Sequence, residues 1–444
     1  MLTRNRISIS EKQAALMWQQ AVGTELTSTE GERFSVIYPG RINGDSGPDF
    51  RDAVVADKSR LIRGDVEVHV RSSDWYGHEH DADVRYNDVI LHVVMWHDCN
   101  SVTVLQSGRE VPTLCLAEEL RHQAYLLPRT LPCLSILDHM DRHTLKKILD
   151  AAGEQRFKQK AIHLRAEILG AAPRTTAIGQ AAGQVLFRSM MRALGYTKNT
   201  SPFQELADRM PLTSIEPREG LAVKQALLLG TAGLLPSQRG QIEPTNEREI
   251  QELQRIWQSM DGNVKTMKET DWNLSRIYPN NSPVRRIVAQ SYLLERYNRG
   301  RLLPGILQTV RDTSPSGGHR LLQTGLTVDS DGYWRDHFDF GVGSRTKISA
   351  LLGHGKAAEM AVNAILPFAF SWGQLADEAD LTDRAMQLYH SYPRLPENCL
   401  TRHMANQLSL EEVSDFTACH QQGLIHIFRS YCREGRCLQC RLVR

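Results

Sequence analysis

The hydrophobic pattern of the chain changes period once, and that change limits the fold more than any composition figure. Between Phe34 and Leu116, short apolar runs alternate with turn residues: "RFSVIYPG", "FRDAVVAD", "RLIRGDVEVHV", "NDVILHVVMWHD" and "SVTVLQSGREVPTLCL". Period-two alternation closed by Gly, Pro, Asn and Asp is a strand and turn signal. After Glu118 the period lengthens. "GQVLFRSMMRALG", "VKQALLLGTAGLLP", "REIQELQRIWQSM" and "RRIVAQSYLLERYNRG" place apolar residues along helical faces. Strands first and helices afterwards predict an α+β protein. A leading helix and a strand-rich domain are expected over residues 1–117, a larger, mainly helical domain over 118–428, and a cysteine-rich tail over 429–444.

Charge adds little: 53 Lys and Arg stand against 51 Asp and Glu, so any electrostatic footprint for nucleic acid must be local. The N-terminus has no apolar stretch of signal-peptide length. The most apolar late segment, Met360 to Gly373, is interrupted by Asn363 and Pro367 and is too short to span a bilayer. It reads as a buried helix. A cytoplasmic protein with no membrane partner is the expectation. In a reducing compartment its clustered cysteines point to metal ligation over disulfides.

Chemistry concentrates in the strands. On "GDVEVHVR", Asp65, Glu67, His69 and Arg71 share one face and Val66, Val68 and Val70 the other. The ordinary reading is the solvated outer face of a half-buried antiparallel strand. The chemical reading pairs Glu67 with Asp49, which opens the preceding strand after a Gly-Pro turn. Two carboxylates on neighbouring strands can hold Mg²⁺ or Mn²⁺. Such an ion polarises a phosphate and lowers the pKa of an attacking water.

"PDF", "EVHV", the helix-like "SSDWYGHEHDADVRY" and the strand "VILHVV" together resemble the PD-(D/E)-x-K core of restriction-endonuclease-like nucleases. The resemblance sets Pro48 and Asp49 in the Pro-Asp place, Glu67 in the acidic place and His69 where the lysine would stand. It implies a nuclease-like mixed sheet, with Asp49, Glu67 and His69 catalytic and Asp49 and Glu67 holding the metal. The histidine is a departure. It could act as a general base near neutral pH, ligate the metal, or mark a core that no longer cuts. Arg71 or Lys58 could supply the missing positive charge, and Glu25 or Glu30 a companion acid.

Nearby, His78 and His80 lie in the segment after that strand and His92 in the next one. Neutral imidazoles suit zinc and other transition metals. The ordinary reading makes His78 and His80 solvated and His92 a satisfied core residue. At the other end, "YCREGRCLQC" sets Cys432, Cys437 and Cys440 in a C-x4-C-x2-C array. Zinc would need a fourth ligand there, with His426, Cys419, His420 or the more distant Cys399 available. An iron–sulfur cluster is the other candidate.

In the helical part, aromatic and basic residues interleave around Tyr196 and Lys198, around Trp272, Arg276, Tyr278, Arg285 and Arg286, and around Tyr333, Trp334 and His337. Such stretches suit stacking on bases with phosphate contacts, so Arg285 and Arg286 join Arg71 as candidate nucleic-acid contacts. More often they are loops whose aromatics plug a core. "GPDF", "DVEVHVRSSDWYGHEHD", "YNDVILHVV", "MRALGYTKN", "PVRRI", "YWRDHFDFG", "AVNAILPFAFSWG" and "GLIHIFRSYCREGRCLQC" resemble the bacterial domain of unknown function 2851 family. That similarity runs from about Phe34 to the C-terminus and implies a shared architecture without an activity. Two functions are therefore expected in competition: a metal-dependent nuclease, or a non-enzymatic nucleic-acid or protein-binding scaffold on a degenerate nuclease core.

Overall fold

A computed structural model describes residues 9–57, 60–117, 131–137, 140–172, 178–196, 198–240, 247–260, 264–274, 277–297, 301–317, 319–410 and 413–443. By its internal contacts the chain forms two compact units. One comprises Met1–Gly153, Glu397–Ser414 and His420–Arg444, and the other Glu154–Pro396 and Asp415–Cys419. A mixed β-sheet region leads and a larger helical region follows, as the change of period predicts.

In the first unit, α1 (Glu11–Gln20) starts at Ser10, whose hydroxyl and backbone exchange bonds with Gln13 in a capping box. Its apolar stripe buries Ala14 and Trp18, and the Trp18 indole N–H donates to the Pro39 carbonyl at 2.9 Å. The sheet holds β1 (Glu25–Thr27), β2 (Arg33–Tyr38), β3 (Arg41–Ile42), β4 (Phe50–Ala56), β5 (Leu61–Arg71) and β6 (Val89–Trp96). Two short strands, β7 (Thr103–Val104) and β8 (Glu110–Val111), pair with each other, and β9 (Thr113–Cys115) closes the row. The order is β1-β2-β4-β5-β6-β9, with β3 on the end of β4. Pairings up to β4–β5 are antiparallel, whereas β5–β6 and β6–β9 are parallel.

Two local features set the register near the acids. Phe50 pairs with Val66 and Ala53 with Gly64, so Arg51 and Asp52 together oppose Asp65. This is a β-bulge, a device that bends a strand and re-aims its side chains. Asp52 takes a left-handed φ of 61° there, with its N–H bonded to the Asp65 carboxylate at 3.1 Å and Arg51 paired to the same group. Gly64 permits the close approach of β6: a Cβ at that position would lie 2.3 Å from Ile90 Cγ2.

The solvated outer face expected for β5 does not exist. Asp65, Glu67 and His69 are 6%, 5% and 1% exposed, while Arg71 alone is open to solvent. One side of the sheet packs Val66, Val68, Leu91 and Val93 with Trp18 of α1. The other side is covered by the β5–β6 crossover. That connection is not one helix. It is a short helix, α2 (Asp74–Gly77), followed by tight helical turns at His80–Ala82 and Val84–Tyr86, with Glu79 left-handed just before the first turn. Trp75 and Tyr86 of the crossover pack with Val89, Leu105 and Val111. A parallel strand pair needs such a covering connection, which is why polar β5 residues become interior.

The second unit is helical around one large core that includes Leu186, Met190, Ile287, Leu351 and Phe368. The apolar stretch around Pro367 runs on through a widened turn, Ala361–Ile365, between helices His354–Met360 and Leu366–Leu375. The turn accommodates a proline that can donate no backbone hydrogen bond. Asn363 is not a breaker: its amide donates to the Glu359 carbonyl at 2.9 Å. Among the described residues no helix is long and apolar enough to cross a membrane.

Candidate metal centre

The sheet brings Glu67 and His69 of β5 to the same buried face. The crossover folds His78 and His80 back over them, and β6 contributes His92, paired with Glu67 in the parallel ladder. One ring nitrogen from each of His69, His78 and His80 lies within 4.8 Å of the other two. His78 Nδ1 is 3.2 Å from His69 Nε2. Glu67 Oε1 is 3.4 Å from His69 Nε2 and 3.3 Å from His80 Nε2. A tetrahedral ion bound at about 2.0–2.1 Å spaces its ligand atoms by about 3.3–3.4 Å. The three separations are close to that edge; Glu67 approaches His69 and His80, while the mutually close group consists of the three imidazoles.

Partners on the far side fix the rings. His69 Nδ1 meets His92 Nε2 at 2.9 Å, His92 Nδ1 meets the Thr103 hydroxyl at 2.8 Å, and that hydroxyl meets Thr113 at 3.0 Å. Such outer partners orient a ligating imidazole and choose its tautomer. Tyr86 stacks on His80 with ring centres 3.9 Å apart, and Trp75 packs edge-on to it. His80 is 9% exposed and its Nε2 has no hydrogen-bond partner, since the Glu67 approach lacks hydrogen-bond geometry. Buried polar atoms rarely stay unpaired. Burial, and then the neighbouring imidazoles, pull His69 down to about 2 and His92 down to about 3. Both rings are therefore neutral, as a metal ligand or its supporting imidazole must be.

Asp49 sits one residue before β4 and is tied to Glu67 through the backbone. Its N–H donates to Glu67 Oε2 at 2.9 Å, and its own carboxylate accepts from Val68 N–H at 3.2 Å. Burial and the Glu67 charge raise its pKa to about 7. The structure thus joins Asp49, Glu67 and His69 in one place. Glu67 faces imidazoles, so the cluster is a mixed histidine–carboxylate set, with Asp49 behind Glu67.

The other candidates fall elsewhere. Arg71 lies exposed at the end of β5, its N–H bonded to Asp74 at 3.0 Å. Arg285 is fully buried and donates to the carbonyls of Trp334, His337 and Ala350 and to Ser330. Arg286, 6% exposed, donates to Leu351, Tyr196 and Asn281. Arg285 braces the loop around Tyr333 and Trp334, two aromatics that plug the core, and Arg286 ties Leu351 to Tyr196 and Asn281. Glu25 lies exposed on the edge strand beside Arg33. Cys432, Cys437 and Cys440 gather around one small pocket in the first unit. Lys58 and Arg276 lie outside the described residues. Sequence reasoning missed Tyr86 and Thr103, because a stacking lid and an outer hydrogen-bond partner have no spacing signature.

The fold and the cluster define a mixed α+β protein with a histidine-rich site that could hold a metal ion. The chain belongs to the family described as protein of unknown function (DUF2851), whose model matches residues 11–398. That match begins before the region of resemblance and ends ahead of the C-terminal cysteines. No curated protein and no solved structure matches the chain.

Proposed function

We propose that this protein is a metal-dependent phosphodiesterase acting on nucleic acid, with the ion held by His69, His78 and His80 together with Glu67. The observation that carries this reading is the set of 3.2–3.4 Å separations linking His78 to His69 and both His69 and His80 to Glu67, the acid that the nuclease motif also selects, with His80 Nε2 free of hydrogen bonds. Three imidazoles and one carboxylate suit zinc or a similar first-row ion better than Mg²⁺. When bound, such an ion supplies Lewis acidity and an acidic water. With an ion bound, Glu67 would take a proton from the attacking water, whose oxygen would bond to phosphorus as the bond from phosphorus to the leaving oxygen breaks, and would return that proton to the leaving oxygen. Asp49 positions Glu67 through its N–H, and exposed Arg71 meets a neighbouring phosphate.

A second reading follows from burial. With four protein ligands and Glu67 and His69 almost fully enclosed, the centre also fits a closed structural site on a non-enzymatic scaffold. Purified protein loaded with Zn²⁺ or Mn²⁺ would be offered plasmid, linear duplex and single-stranded substrates, beside Glu67→Gln and His80→Ala. Cleavage by the wild type that both variants lose supports the nuclease. A metal-loaded protein that cuts none of them supports the scaffold.

A further inference from the structure

A second group of metal-ligating side chains lies in the first unit, away from the imidazoles. Helix α3 (Pro132–Leu137) carries Cys133, and the C-terminal segment carries Cys432, Cys437 and Cys440. All four line the same cavity of about 20 Å³. Four of the chain's eight cysteines thus converge from segments about 300 residues apart in sequence, and all are free thiols.

The surroundings are those of a thiolate site. The rest of the lining is apolar apart from the Tyr38 and Tyr431 rings and Gln407. Gln407 donates to Cys432 Sγ at 3.7 Å and also bonds the Cys133 thiol. Burial raises the pKa of all four thiols, and each feels the charge of at least one other or lends its own. Small buried thiols can serve as ordinary core residues. That account does not explain why four of them face one another across a void with an amide donor turned onto two.

We propose that Cys133, Cys432, Cys437 and Cys440 are the four ligands of an iron–sulfur cluster, with Cys133 supplying the ligand that the C-terminal array lacks. Two observations favour a cluster over a single zinc ion. The C-x4-C-x2-C spacing with one remote cysteine is an iron–sulfur arrangement. Zinc–sulfur bonds of about 2.3 Å would hold the sulfurs about 3.8 Å apart, yet among the described residues no three of these sulfurs lie within 4.8 Å of one another. A cluster spreads its thiolates over several irons, so its cysteine sulfurs stand further apart than those on a single zinc ion. This inference is independent of the phosphodiesterase reading.

The test is anaerobic purification of the full chain, followed by incubation with ferrous iron, sulfide and a thiol reductant. Visible absorption, iron and acid-labile sulfide are then measured. The wild type and Cys399→Ser, an exposed cysteine outside the pocket, should acquire a brown chromophore with iron and sulfide. Cys133→Ser should fall to baseline, and so should Cys437→Ser, whose half-buried position makes misfolding a poor explanation. Circular dichroism checks that each variant is folded. A chromophore retained in Cys133→Ser would overturn its assignment. A colourless wild type, with zinc or with no metal, would overturn the cluster.

Discussion

Two buried polar clusters, one in each unit, look alike in sequence and differ in what they lack. Arg285 and Arg286 are enclosed, but their terminal nitrogens all find oxygens: four bonds from Arg285 and three from Arg286. Only the Nε of each lacks a partner, so the pair braces the segments that it ties. In the imidazole cluster His69, His80 and Glu67 are enclosed and His78 is exposed, and His80 Nε2 has no hydrogen-bond partner although Glu67 lies 3.3 Å away. A cation or a proton could satisfy that nitrogen. Burial alone does not separate a brace from a site; the kind of neighbour does, oxygens around a guanidinium and further ligand atoms around an imidazole.

Breaking the brace should have the largest effect. Arg285→Met leaves several carbonyls buried without donors, at about 1–3 kcal/mol for each unsatisfied group. A loss of roughly 3–5 kcal/mol in urea unfolding is expected, with the metal content of the imidazole site unchanged. The converse substitution, His80→Ala, should cost the metal-free protein a smaller amount, through lost packing against Tyr86 and Trp75. Zinc at a hundred times its dissociation constant should stabilise the wild type by about 2.7 kcal/mol, and His80→Ala should lose that gain. A thermal shift with and without zinc reads both. Thr103→Val removes the hydroxyl behind His92 and should weaken zinc binding roughly tenfold, measured by competition with a chelator.

The smallest effect concerns a third kind of buried ring. His403 meets the Tyr38 hydroxyl at 2.6 Å, and burial, with nearby Arg41, lowers its pKa from 6.5 to about 4. A lowered folded-state pKa means that the unfolded chain takes up the proton first. This stability is present above pH 6.5 and is lost as pH falls towards 4. Gln407 and Asp52 oppose the shift. His403→Gln should therefore flatten the acid side of the stability–pH curve, and the wild-type minus variant difference should change only between those two pH values.

Much of the fold was legible. The change of period, the strands up to Trp96 and the hairpin joining Phe50–Ala56 to Leu61–Arg71 follow from alternation and turn chemistry. Glu67 and His69 were legible as neighbours on one face because strand geometry puts residues two apart on the same side. Their burial was not. It depends on a crossover whose Trp75 and Tyr86 reach back over the sheet, and no local pattern encodes a tertiary lid. The same gap made His80 look like a solvated residue and Arg285 and Arg286 like a basic surface, while His78 is exposed as expected. Cys133 carried no signal because its partners lie about 300 residues away.

The account's central claim is that His69, His78, His80 and Glu67 hold one ion. X-ray absorption at the zinc edge of zinc-loaded Cys437→Ser protein, in which the thiol pocket is disabled, tests it directly. A first shell of nitrogen and oxygen at about 2.0–2.1 Å, with an imidazole scattering pattern that disappears in the added His80→Ala variant, is the predicted result. Zinc absent from that protein, or a spectrum unchanged by His80→Ala, would contradict it.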